Sequence, residues 1–198
     1  MDTLHTLTHR VSSGTLVAPA PSDDALAQIL AAATRAPDHG LLRPWRFFVI
    51  RDDARNALGD LMVERLLERA PDTDPAQVDR ERKKPLRAPM ILVVAAKVDS
   101  ANKIPAIEQV LSAGAAAQNV MLAAFDLGYG CAWKTGEAAY DPAVKAAFGL
   151  APHDAIVGFL YLGTNPKPLP PPREINPMQY VTEWTGSLAN AAPANAAA

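Results

Sequence analysis

The stretch RAPDHGLLRPWRFFVI, residues 35–50, contains the clearest structural signals in the chain. A helical pattern ends near Arg35, and the aromatic and β-branched run from Phe47 to Ile50 predicts a strand. Two prolines in the intervening loop each restrict their own φ and the residue before them. The loop's cations, histidine and Trp45 suit a flat, polar, anionic ligand. A solvated connection whose tryptophan caps the core is the commoner explanation of these residue types.

Composition limits the class of protein. With 198 residues, 49% hydrophobic and 20% charged, the chain fits one domain over residues 1–186 that needs neither disulfides nor metal. The net charge of −2 gives no general attraction to nucleic acid or anionic membranes. The single Cys131 fits a reducing compartment, and no leader-like or membrane-length apolar run is present. We therefore expect a soluble cytoplasmic protein, with residues 187–198 forming a disordered Ala/Pro-rich tail.

Apolar periodicity and capping signals define the predicted elements. The apolar run 90–96 predicts a central strand covered on both faces. The predicted helices span residues 2–9, 22–35, 53–69, 74–84, 105–127 and 141–149. The predicted strands span residues 47–50, 90–96 and 155–162, and a further strand lies within 128–136.

The predicted helix 105–127 is apolar around most of its circumference and rich in alanine. Such a helix is either a central core helix of one subunit or part of a subunit interface, and the interface is favoured here. On that hypothesis, a glutamate at Ala116 or Ala123 would disrupt assembly. Residues 175–184 carry large apolar side chains after a proline-rich extended stretch, which suggests an arm that packs on a second copy.

Two short blocks contain candidate binding residues. Residues 10–14 offer a guanidinium, two hydroxyls and backbone N–H groups that could hold a phosphate, although a plain helix exit has the same composition. Residues 128–136 nearly match a nucleotide P-loop, but Trp133 replaces the second glycine and the order is helix, loop, strand. This block is therefore a strand that presents Trp133, Lys134 and Thr135 at its open end, with Cys131 as a small buried hydrophobe.

Four blocks in order carry a resemblance to a known family. They are Arg10-x-Ser12, then Arg35-Ala-Pro-Asp-His39 with Pro44-Trp45-x-Phe47, then Gly128-x-Gly130-x-x-Trp133-Lys134-x-Gly136, and Gly158-Phe-Leu-Tyr-Leu-Gly163. Together they resemble the FMN-dependent nitroreductase family, in particular its compact bacterial branch, over residues 1–163. The resemblance implies an α+β, nitroreductase-like fold with a central mixed β-sheet flanked by helices. It also implies a homodimer with FMN at the interface.

The resemblance also implies roles for individual residues. Arg10 and Ser12, with the backbone of Val11, would bind the FMN phosphate and ribityl chain. Arg35 and His39 would contact the flavin, and Trp133, Lys134 and Thr135 would lie beside the isoalloxazine. A dianionic phosphate requires such donors, and a cation near the ring stabilises reduced flavin.

The implied activity is ping-pong oxidoreduction. NADH or NADPH gives hydride to flavin N5, and a nitroaromatic, quinone or other electron-poor acceptor is then reduced. No catalytic acid or base and no metal are expected. The alternatives are a flavin-binding protein without turnover, such as a store or redox sensor, and a specialised reductase of the same fold, such as a dehalogenase.

The chain departs from the family pattern at four positions. Val11 and Thr15 stand where further arginines are usual, Arg43 replaces a glutamine, and Leu41 replaces a polar residue. These changes alter polarity around the flavin. Arg43, Lys167 and Arg173 are the candidates to compensate.

Overall fold

The computed structural model describes residues 2–184 and 186. The helices in this part of the chain are α1 (Thr3–His9), α2 (Asp23–Ala33), α3 (Asp53–Arg69), α4 (Pro75–Arg82), α5 (Ala106–Asp126) and α6 (Pro142–Ala147). The strands are β1 (Trp45–Arg51), β2 (Met90–Ala96), β3 (Gly130–Lys134) and β4 (Ala155–Gly163).

The four strands form one sheet in the order β1-β2-β4-β3. This sheet, with helices packed on it, confirms the α+β prediction. All three neighbouring pairs are antiparallel, however, so the described sheet is not mixed. The reason is topological: β2 and β3 run in the same direction, but β4 lies between them and opposes both.

The central position of β2 is confirmed, because every residue from Met90 to Ala96 is buried. Successive side chains point to opposite faces. Ile91 and Val93 belong to the core beneath α3, whereas Leu92 and Val94 belong to the core beneath α2 and α5. The sheet therefore separates two apolar layers.

Helix α5 supplies much of the second layer. Six of its apolar residues are buried within the chain itself, at Ala113, Ala116, Ala117, Val120, Met121 and Ala124. The face of α5 that carries these residues is therefore part of the core of one subunit. The prediction that Ala116 lies in a subunit interface is wrong, because its side chain belongs to the apolar layer on the sheet. At the start of the same helix, Ile107 and Leu111 are 62% and 63% exposed.

After β4 the chain includes a short 3₁₀ helix at Pro177–Tyr180 and carries exposed apolar residues. These are Ile175, Met178, Tyr180, Val181 and Trp184. The disordered tail predicted for 187–198 lies outside the described residues. Within the described ranges, no helix is both long enough and apolar enough to cross a bilayer.

Candidate functional site

Trp133, near the end of β3, is locked against the neighbouring strand. Its indole Nε1 donates a hydrogen bond to the carbonyl oxygen of Val157, at 3.1 Å. The ring lies over Gly158, where any Cβ would collide with it. Trp133 is therefore held by β4, and its position fixes the backbone that leads into Lys134 and Thr135.

Lys134 and Thr135 line a cavity of about 490 Å³, a size typical of small-molecule sites. Ser13 and Gly14 lie at the same cavity, which joins the N-terminal block to the end of β3. The remaining walls come from the sheet, α3, α4 and the turns that follow α4 and β3, at Leu16, Leu58, Met62, Arg65, Leu66, Arg69, Gln77, Glu81, Lys84, Arg87, Ala132, Gly136, Glu137, Ala138, Val144, Phe159 and Tyr161.

The described lining of this cavity has an excess of positive charge. It contains five cations, at Arg65, Arg69, Lys84, Arg87 and Lys134, and two carboxylates, at Glu81 and Glu137. Burial raises the pKa of Tyr161 to about 12, against a smaller lowering effect of Arg87. The phenol is consequently neutral at physiological pH, and the cavity combines an apolar floor with a cationic rim.

A buried carboxylate organises one side of the cavity. Asp141 accepts hydrogen bonds from Arg69 Nη1 at 2.7 Å and Arg65 Nε at 3.2 Å, as well as from Ala143 N at the start of α6. Burial opposes its ionisation, but hydrogen bonds from backbone N–H groups and from Arg65 outweigh burial and lower the pKa of Asp141. Arg69 also bonds Glu137 at 2.7 Å, so this network fixes the turn that follows β3.

Ser13 joins the N-terminal block to the free edge of β3. The Ser13 N–H donates to the Cys131 carbonyl at 3.0 Å. Arg10, at the end of α1, has Nε and Nη1 atoms that are buried and have no hydrogen-bond partner among the described residues. Val11 is half-buried and Ser12 is exposed. A buried guanidinium with two unmatched donors is suited to an anion that the chain itself does not supply.

Cys131 is not a nucleophile of this site. Burial raises the pKa of its thiol to about 12, although the charge of Arg10 acts in the opposite direction. The thiol is therefore protonated and belongs to the apolar layer under α5, as the sequence predicted.

Arg35 and His39 lie elsewhere. Arg35 lines a second, open concavity of about 710 Å³, together with Thr34, Ala36, Asp38, Leu41, Arg43, Trp45, Arg46 and Phe47. His39 is exposed and forms a 2.6 Å hydrogen bond through Nδ1 to Glu108 Oε2 of α5. Arg43, one of the departures from the family pattern, thus lies beside Arg35.

The structure brings together only part of the predicted site. The Arg35–His39 loop precedes β1, whereas Lys134 ends β3, and these are opposite edges of the sheet. Three strand spacings separate the two edges, roughly 14 Å. Neither cavity is lined by members of both groups.

Sequence reasoning missed three polar residues at these places. Asn165, just after β4, has a buried Oδ1 without a partner among the described residues, and it faces Gly130 as Ser13 does. Arg69 and Glu108 hold the two candidate loops. The signal for Asn165 was a polar residue that ends a buried strand, and the paired charges gave no local signal because their partners are distant in sequence.

His5 and His9 lie four positions apart on α1. Their rings stack with centroids 4.0 Å apart. No group of three or more His, Cys, Asp and Glu side chains that could hold a metal ion occurs among residues 2–184 and 186. Their spacing of four residues places the two rings on one helical face, which permits this stacking.

The fold and the arrangement of these blocks match a known family. The sequence profile of the Nitroreductase family matches residues 7–164, most of the chain, which therefore belongs to that family. It is 41% identical over 164 residues to the protein named "Putative NAD(P)H nitroreductase YdjA" of Escherichia coli (strain K12), covering 83% of this chain and 88% of the relative. The "Putative NAD(P)H nitroreductase" of Haemophilus influenzae is 37% identical over 165 residues, with 83% and 89% covered.

Solved structures show the same fold. A nitroreductase-like family protein from Bacillus cereus superposes with a TM-score of 0.78 at 25% identity, over 94% of this chain and 97% of the other. A structure described as a putative nitroreductase in complex with FMN, from Desulfovibrio desulfuricans, gives a TM-score of 0.70 at 24% identity, over 92% and 97%. The family resemblance of the sequence blocks is thus confirmed.

Proposed function

We propose that the protein is an FMN-dependent NAD(P)H oxidoreductase of the nitroreductase type. The observation that carries this proposal is the buried guanidinium of Arg10, whose Nε and Nη1 lack a partner among the described residues. Arg10 is close enough to Cys131 of β3 to act on its thiol, and it lies three residues before Ser13, which bonds to β3 and lines the cavity of Lys134 and Thr135. The names of the relatives at 41% and 37% identity support the same class of activity.

The residues present fit FMN. A phosphate dianion requires several donors, and Arg10, the Ser12 hydroxyl and the backbone of Val11 would supply them. The partly apolar cavity beside Lys134 and Thr135 would take the ring system, with Trp133 fixed on the strand by its bond to Val157. Arg35 and His39 would add contacts from the opposite edge of the sheet.

Bound FMN would supply the redox chemistry, taking hydride from NADH or NADPH and passing reducing equivalents to an electron-poor acceptor such as a nitroaromatic or quinone. The chain's own residues bind and orient. The Lys134 ammonium places positive charge at the cavity and favours a more negative ligand there. Apolar lining residues such as Leu58, Met62 and Phe159 would limit water around a bound ring.

We also propose that the protein acts as a homodimer. Its single chain leaves Arg35 and His39 on the edge opposite Lys134, and a second copy would allow the two groups to meet. The exposed Ile107 and Leu111 of α5 offer an apolar contact face. The segment 175–184, which carries the exposed Tyr180 and Trp184, offers an arm to cover a neighbouring chain.

The test is direct. The purified protein is titrated with FMN, FAD and riboflavin, and flavin fluorescence gives each Kd. NADH and NADPH oxidation is then followed with and without a nitroaromatic or quinone. Tight FMN binding with acceptor-dependent turnover supports the proposal. Tight binding without acceptor turnover would indicate a flavin store or sensor instead, and a protein that binds no flavin would refute both.

A further inference from the structure

The loop that presents His39 has an unusual backbone. Leu41 and Arg43 have positive φ values of 55° and 49°, a region that non-glycine residues rarely adopt. The Asp38 carboxylate holds this conformation by accepting a 2.7 Å hydrogen bond from the Arg43 N–H. Backbone strain of this kind persists only where surrounding contacts define the conformation.

Contacts with the start of α5 fix the conformation of this loop. Gly40, at φ 71°, packs so closely on the buried Ile104 that any Cβ would collide with it. Gln109 of α5 is buried and holds the segment before the helix. Its side-chain oxygen accepts a hydrogen bond from the Asp99 N–H at 2.8 Å, and its amide nitrogen donates to the carbonyl oxygens of Asp99 and Ile104 at 3.1 and 3.0 Å. The loop of His39 and the helix start of Glu108 thus form one firmly held unit.

The His39–Glu108 hydrogen bond has a chemical consequence. A carboxylate is only an acceptor, so the imidazole nitrogen 2.6 Å away, Nδ1, must carry a proton. In the neutral ring Nε2 is therefore left as an acceptor. Since both side chains are substantially exposed, at 66% and 42%, the pair contributes little to stability. Its main effect is to fix the ring and its tautomer.

We propose that Glu108 is a positioning residue of the flavin site. It holds His39 as the Nδ1–H tautomer, so that Nε2 of the neutral ring accepts a hydrogen bond from a hydroxyl-bearing ligand. The ligand class is a polyhydroxylated chain such as the ribityl group of a flavin. This inference rests on the proposed function, because it takes His39 as a flavin contact.

The first experiment requires no ligand. Two-bond ¹H–¹⁵N NMR spectra of the full chain at about pH 9, above the ordinary titration range of histidine, report the His39 tautomer. We expect Nδ1–H in the wild type and a shift towards Nε2–H in Glu108→Gln, because an amide can donate as well as accept. Glu64→Gln, at an exposed glutamate of α3, is the control and should leave the His39 signals unchanged.

The second experiment measures FMN affinity. Glu108→Gln should raise the FMN Kd about fivefold, the ratio expected for one neutral hydrogen bond. In a His39→Ala background the same change should have no effect, whereas a role independent of His39 would give additive losses. An Nε2–H wild-type tautomer, or a changed tautomer with unchanged FMN affinity, would overturn the proposal. If the wild type binds no FMN, the proposed function fails, and the positioning role falls with it even where the tautomer is as expected.

Discussion

Trp133 and Val157 are joined by a 3.1 Å hydrogen bond from the indole Nε1 to the backbone carbonyl oxygen. The bond links β3, an edge strand with few partners, to β4, which is buried at the sheet centre. The indole can reach Val157 only because Gly158 leaves space beneath the ring. The position of the candidate flavin-binding backbone thus depends on a glycine on another strand.

Gly158→Ala should therefore destabilise the apo protein. The added methyl group overlaps the indole of Trp133, and overpacking of this type costs about 1–3 kcal/mol of unfolding free energy. Urea unfolding followed by circular dichroism measures the loss. Gly14→Ala is the matched control, because a Cβ at Gly14 meets nothing within 4 Å. Equal stability of the two variants would contradict the proposed role of Gly158.

Arg10→Ala should weaken FMN binding by about 1.5–3 kcal/mol, the range for hydrogen bonds to charged groups. Arg10 offers two buried donors without partners among the described residues. Riboflavin lacks the phosphate, so its Kd should be nearly the same in both proteins. Arg10→Lys keeps the charge and should recover part of the FMN affinity. An equal loss for FMN and riboflavin would place Arg10 away from the phosphate.

Much of this arrangement could be predicted from the sequence because its signals are local. The apolar run 90–96 is the buried central strand, and Ser22 caps α2 through a 3.2 Å bond from Ala25 N–H. Side-chain pairs distant in sequence could not be predicted. Arg69 and Asp141 are 72 positions apart, and His39 and Glu108 are 69 apart, so no periodicity or spacing relates them.

The face of α5 shows a different limit of sequence reasoning. Its alanine-rich composition indicated burial, but it did not distinguish burial against the chain's own sheet from burial against a partner. Ala116 faces the sheet and Leu111 faces outward. Both environments favour small or apolar side chains. The sequence alone therefore does not distinguish a residue that packs on the sheet from one that is available to a partner.

Lys134→Ala should make the midpoint potential of bound FMN more negative. The ammonium at the cavity stabilises the anionic reduced flavin more than the neutral oxidised form, so its removal disfavours reduction. We expect a shift on the order of 30 mV, a factor of ten in the two-electron equilibrium. Spectroelectrochemistry measures it, and Lys103→Ala, at an exposed residue outside the cavity lining, is the control. An unchanged potential with reduced affinity would assign Lys134 to another part of the ligand.

Asp141→Asn should reduce stability by about 1.5–3 kcal/mol at neutral pH, because Arg65 and Arg69 lose the buried carboxylate that they share. The pKa of Asp141 is lower in the folded protein than its ordinary value of 3.8. Its contribution is therefore complete well above pH 3.8 and is lost as pH falls through the folded-state pKa. The stability difference between wild type and variant, measured by urea unfolding, should shrink below that pH. Asp72→Asn, at an exposed position, should show no such pH dependence.

Leu111→Glu should convert the proposed dimer into monomers that hold less FMN. Leu111 is 63% exposed in the single chain and lies one helical turn from the similarly exposed Ile107. The isolated fold should therefore tolerate a charge at position 111, whereas an apolar interface should not. Light scattering across a size-exclusion peak gives the mass, and flavin absorbance on the same peak gives the occupancy. Leu86→Glu, at an exposed leucine outside α5, should keep the mass of the wild type. A Leu111→Glu protein that remains dimeric would exclude this face of α5 from the interface, and a monomer with full FMN occupancy would show that one chain suffices for the site.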